Sequence, residues 1–141
     1  MVRVLVVNHD VDMADVEVEE LRRAGYEVDQ CGGPTHAKFA CPVLRGAPCW
    51  QVEWADVLVY DVWSAGDGGE ELTHGLHGGY PGKGIVLTNL GMDVSWIDES
   101  ATAPYTVLNG PPTMASLSAA VEAALAAATA ATAATAANAP G

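Results

Sequence analysis

Two short runs of branched apolar residues constrain this chain most. Val2–Val7 reads VRVLVV and Asp56–Val62 reads DVLVYDV. Neither alternates with polar residues, so each predicts a strand buried on both faces. Such strands belong to parallel sheets, whose faces are covered by helices. The segment after the first run has the matching helical pattern. Val11, Ala14, Val18 and Leu21 make one apolar stripe. Acids crowd the start of this segment, Arg22 and Arg23 close it, and Gly25 stands where a helix ends. Tyr26–Cys31 then alternates as a second strand.

The pattern continues with one interruption. Residues 32–50 hold three prolines, three glycines and two cysteines, which argues against a regular second helix. One short helical turn is expected over Trp50–Ala55, with Trp50 and Trp54 packing inward. A short helix is expected over Glu70–Leu76, in a stretch carrying eight of the 15 glycines. Gly84–Thr88 and Pro104–Leu108 predict the fourth and fifth strands, with a short helix over Met92–Glu99 between them. Thr113 is placed to cap a last helix reaching about Ala128, with Met114, Leu117, Val121 and Leu125 toward the sheet. The whole is a doubly wound, five-stranded parallel α/β sandwich of flavodoxin-like type. The domain spans 1–128. Residues 129–141, Ala and Thr, are expected to fray into a disordered tail.

Charge removes several function classes. Six basic residues face 18 acidic ones, a formal net charge of −12. Non-specific binding to nucleic acid or to an anionic membrane needs clustered Lys and Arg. The uncharged run Ala123–Gly141 is too weakly apolar to drive membrane insertion. No secretory signal is evident, and three cysteines cannot all pair within one chain. Both fit a reducing, cytoplasmic setting. No P-loop, dinucleotide fingerprint or nucleophile elbow occurs.

The order of motifs resembles a bacterial response-regulator receiver domain. Val4-Leu-Val-Val-Asn-His-Asp10 resembles its first strand and acidic corner. Leu21-Arg-Arg-Ala-Gly-Tyr-Glu-Val28 resembles the end of its first helix and start of its second strand. Asp56-Val-Leu-Val-Tyr-Asp61 resembles the third strand with the phospho-accepting aspartate, followed by a Gly66-Asp-Gly-Gly69 loop. Val86-Leu-Thr88 resembles the fourth strand and its switch threonine. The resemblance implies Asp61 as phospho-acceptor and Thr88 as switch residue. It also implies Mg²⁺ near Asp10 and Asp61, and a histidine kinase or output protein as partner. A second copy of the chain is the other partner left open.

The departures are specific. Where receivers carry an acid pair, this chain has Asn8 and His9, with Asp10 one residue on. Where they carry a lysine after strand five, it has Gly110, and no Lys or Arg follows Lys83. The first change weakens a hard-cation site. The second removes a cation that would offset phosphoryl charge. The expectation is therefore an atypical, stand-alone receiver-like module that binds a partner without conventional Mg²⁺-dependent phosphorylation. That partner is expected on the face of the fourth helix, fifth strand and last helix. A phospho-accepting receiver is the alternative.

Two further constellations merit tests. Cys31, His36, Cys41 and Cys49 form a C-x4-H-x4-C-x7-C set. Three thiolates and an imidazole suit Zn²⁺, so a metal or small-ligand sensor is a third reading. Asn8, His9, Asp10 and Trp63 are expected to line the pocket beside Asp61, with Trp63 filling it or stacking on a planar ligand. Glu71, His74 and His77 share a helix face and are expected to be solvated.

Overall fold

The computed structural model describes residues 1–33, 41–62, 64, 69–88, 105–108 and 111–138. The strands are β1 (Arg3–Val7), β2 (Glu27–Cys31), β3 (Val57–Asp61), β4 (Gly84–Thr88) and β5 (Thr106–Val107). The helices are α1 (Val11–Arg23), α2 (Trp50–Trp54), α3 (Gly69–Gly79) and α4 (Met114–Asn138). The five strands form one sheet in the order β2-β1-β3-β4-β5. Every pairing is parallel. This is the flavodoxin-like order, as expected.

The pleat divides the branched residues between two cores. Val4, Val6, Val57, Val59 and Val86 face α1 and α4, where they meet Ala14, Leu21, Leu117 and Val121. Leu5, Leu58, Tyr60, Ile85 and Leu87 face the other way, onto Val52, Leu72 and Leu76. Burying each such side chain contributes about 1.5–3 kcal/mol. That two-sided demand is why β1, β3 and β4 read as unbroken apolar runs. β2 lies at the edge of the sheet, and its Glu27 and Gln30 are exposed.

Helix ends follow the local chemistry. Asp10 caps α1 by accepting from the amides of Asp12 and Met13. Gly25 takes φ +98° just beyond the helix, where a side chain would be strained. Thr113 Oγ1 accepts from the Ser116 amide at 3.1 Å and caps α4. Val11 and Met114, expected inward, are exposed at 66% and 44%. Each is the first residue of its helix, and the core begins a turn later at Ala14 and Leu117.

Three other expectations change. Helix α3 runs to Gly79, past Leu76. Trp50 is 70% exposed. In the five-residue α2 only Val52 is buried, while Trp54 packs against the core edge and lies under the Arg3 guanidinium. Helix α4 continues to Asn138, ten residues past the expected end. Ala has the best helix propensity, so the backbone stays helical after the sheet no longer supports it. Twenty-five residues span about 37 Å, roughly twice a five-residue strand. Met114–Ala131 is apolar and long enough to cross a membrane by composition. Its Leu117, Val121 and Ala124 are instead spent on the sheet.

The crossover from β2 to β3 holds a 3-10 turn (Val43–Arg45) and α2. His36, Trp63, Gly66–Gly68, Trp96, the 92–99 helix, Asn109 and Gly110 lie outside the described residues.

Candidate functional site

The topology reverses between β1 and β3, because β2 lies on one side of β1 and β3 on the other. Open α/β sheets bind ligands at the carboxyl ends of such strands. A cleft of about 430 Å³ opens there, and its lining includes Asn8, His9, Asp10, Glu17, Asp61 and Thr88. Pro111 and Pro112 close one side.

Each polar residue is placed by its element. Asp61 ends β3, 3% exposed, and pairs in register with Thr88 at the end of β4. Thr88 Oγ1 lies 3.5 Å from the Tyr60 carbonyl oxygen, to which it can donate. Asn8 is 3% exposed and ties three segments together. Its amide donates to the Cys31 carbonyl at 3.0 Å. Its Nδ2 donates to Glu17 Oε1 at 3.3 Å, and its Oδ1 accepts from the Asp10 amide at 2.9 Å. Asp10 Oδ1 is committed to the α1 cap, at 3.0 and 3.2 Å from the Asp12 and Met13 amides. The His9 amide donates to Ser64 Oγ at 2.9 Å. His9 Nδ1 stands 3.8 Å from Asp61 Oδ2, beyond hydrogen-bond reach.

Glu17 is the residue that sequence reasoning missed. It sits on α1, 2% exposed, inside the same cleft as Asp61. Burial raises its carboxyl from 4.5 to about 7; the Asn8 bond opposes this and the Asp61 charge adds to it. Oε1 has its bond to Asn8, while the buried Oε2 has no hydrogen-bond partner among the described residues. A signal was present in the sequence. Glu17 lies three residues after Ala14 and four before Leu21, on the apolar stripe itself. An acid at such a position is buried unless the helix rotates.

Five of the six basic residues are described, and none of them lines this cleft. Arg3 pairs with Asp56, Arg23 with Glu19 and Glu20, and Lys83 donates to the Glu53 carbonyl. The cleft thus joins two buried carboxylates with an amide and an imidazole. Among the described residues, these side chains do not gather as a group of three or more metal-holding ligands.

The cysteines converge elsewhere. Cys31, Cys41 and Cys49 line one mostly apolar cavity of about 300 Å³, under α2 and α3 on the opposite face of the sheet from α1. Burial pushes the Cys31 thiol up, the Gly33 amide that donates to its sulfur at 3.4 Å opposes this, and the other two thiols add to it. Among the described residues no three His, Cys, Asp or Glu side chains gather as a metal-holding group. The structure therefore brings the three thiols to one cavity without assembling them as ligands. Glu71, His74 and His77 are exposed on α3, as expected.

The strand order, the strand-end cleft and Asp61 opposite Thr88 define the fold of a response-regulator receiver domain. Comparison with solved structures agrees. The chain is similar to a CheY-like receiver domain protein from Methanospirillum hungatei, with TM-score 0.66 and 19% identity over 92% of this chain and 97% of that one. It is similar to the chemotaxis protein CheY4 of Vibrio cholerae, with TM-score 0.63 and 20% identity over 89% and 99%. It is also similar to the response regulator TrrA of Thermotoga maritima in complex with Mg²⁺-BeF, with TM-score 0.55 and 21% identity over 78% and 88%. No protein-family model matches the sequence, and no curated protein matches it. At these identities the likeness is one of fold.

Proposed function

We propose that this chain is a cytoplasmic signalling module on a receiver fold, whose Asp61 cleft sets its state and whose surface passes that state to a partner protein. The partner class is a histidine kinase or an output protein, met through β5 and α4. The observation that carries this reading is the composition of the cleft. Asp61 is buried at the strand end beside Thr88, His9 and Glu17, with no described Lys or Arg in the lining. A phosphoryl group on Asp61 would bring further negative charge beside a second buried carboxylate, with no described lysine in the lining to meet it. Conventional aspartyl phosphorylation is accordingly not the proposed signal. Incubation with acetyl phosphate and Mg²⁺, followed by intact mass, tests this. The expected result is no adduct. A phosphoryl adduct that disappears in Asp61→Asn establishes the alternative, a phospho-accepting receiver.

A second reading rests on the three thiols that share one cavity. With His36 they would form a zinc-holding loop. Metal analysis of the purified chain decides it, since a stoichiometric, thiol-bound zinc is the required result.

A further inference from the structure

We propose that the cavity shared by the three thiols is a binding site for a small, uncharged aromatic molecule of about two fused rings. The inference does not rest on the Asp61 cleft, and it gives this cavity a different occupant from the zinc of the second reading.

The hollow follows from a short helix. A doubly wound sheet covers the face between successive parallel strands with a crossover helix. Here α2 has five residues and buries only Val52. Leu5, Val7 and Leu58 of the sheet form the floor of the space that remains, and Val43, Leu72 and Leu76 form a wall. The walls are fastened to one another. Gln51 Nε2 donates to Asp29 Oδ2 and to the Gln30 carbonyl, both at 3.2 Å, which ties α2 to β2. The Cys49 amide donates to Tyr80 Oη at 2.9 Å, which ties the start of α2 to the residue after α3. Gly75 of α3 lies so near the 3-10 turn that a Cβ there would stand 3.2 Å from Val43 Cγ1. Walls held in this way resist collapse, and an unfilled apolar space forfeits dispersion contacts that a guest restores.

The lining selects the guest. The chain carries a net charge of −12, yet no charged side chain is among the described lining of this cavity. An ionised guest would lose its water there and gain no partner. Trp50 lines the cavity and is 70% exposed, which sets its ring at the mouth. An indole so placed offers a stacking face to a planar molecule. The three half-buried sulfurs are polarizable and favour contact with aromatic rings. Burial raises the Cys31 thiol, which keeps that sulfur neutral. Volume sets the size. A dry apolar cavity of about 150 Å³ takes benzene, and this one, at about 300 Å³, has room for a second ring.

Indole is the probe. Titrated into the methyl-labelled full chain, it should shift the methyl resonances of Leu5, Leu58, Leu72 and Leu76 saturably, show Overhauser contacts to them, and raise the thermal midpoint. Indole-3-carboxylate, the same rings with one charge, should bind at least about tenfold more weakly. Trp50→Ala, at an exposed position, should weaken indole binding roughly 2–10-fold. Val52→Phe, which places a ring in the space, should abolish binding and raise the midpoint of the free protein. The methyl shifts of the unaltered chain decide the matter should that variant fail to fold. No saturable shift overturns the inference, as do contacts confined to Val4 and Val121 on the other face of the sheet. Equal affinity for the carboxylate, or full affinity for indole in both variants, overturns it as well.

Discussion

Asn8 Nδ2 donates to Glu17 Oε1 at 3.3 Å, joining the end of β1 to the middle of α1 inside the core. This bond opposes a larger effect, the burial that raises the Glu17 carboxyl from 4.5 to about 7. The folded chain therefore keeps a proton that the unfolded chain releases between those values. Its contribution to stability is complete below pH 4.5 and is lost as the pH rises to about 7. The size is on the order of 3 kcal/mol. Urea unfolding at pH 5 and pH 8 without divalent cations should show this fall in the unaltered chain and a smaller one in Glu17→Gln. Equal falls in the two proteins would refute it.

Asp10 holds the first turn of α1 rather than lying free in the cleft. Asp10→Ala should cost about 1 kcal/mol, while Asp10→Asn, which keeps an oxygen for the amides of Asp12 and Met13, should cost much less. Denaturant midpoints of the two variants check this. A similar loss in both would mean that the charge, not the cap, is what counts.

Gly33 lies where the chain leaves β2, with φ +77°. A Cβ there would stand 2.8 Å from both Cβ and O of Ser64. Ser64 in turn accepts from the His9 amide. Gly33→Ala should destabilise the fold by roughly 1–3 kcal/mol and shift the His9 amide resonance. A variant of unchanged stability and spectrum would show that this corner is not shared.

Cys31 should be the slowest of the three thiols to alkylate. Burial holds its thiol above the usual range, and only the thiolate attacks. Limited iodoacetamide labelling at pH 7.5, located by peptide mass mapping, should find Cys41 and Cys49 modified ahead of Cys31. Labelling of Cys31 first would place it outside the buried cavity.

The parts of the fold that were legible are those written in consecutive residues. VLVV and DVLVYD declare strands covered on both faces, because a one-sided strand would alternate. The crowded acids, Arg22–Arg23 and Gly25 mark both ends of α1, because helix ends are set by neighbouring residues; that Asp10 caps the helix came from the structure. The length of α4 was underread. Its Ala/Thr repeat has no amphipathic stripe, so nothing in the pattern announced how far the helix would run.

The site divides in the same way. Asp61 and Thr88 were named from strand ends, and the parallel register sets them side by side. Glu17 was passed over because acids near a helix start are usually solvated and favour the dipole. Its burial follows from the rotation of α1, which Ala14, Val18 and Leu21 fix against Val4, Val57 and α4. Sequence alone thus determined the strands, the ends of α1, the loss of the acid pair and the absence of a late lysine. Each of those is a property of a residue and its near neighbours. Tertiary structure alone decided that an acid nine residues beyond Asn8 returns to it, beside a carboxylate 44 positions further along. Packing three elements around one cleft creates that meeting, and no local preference encodes it.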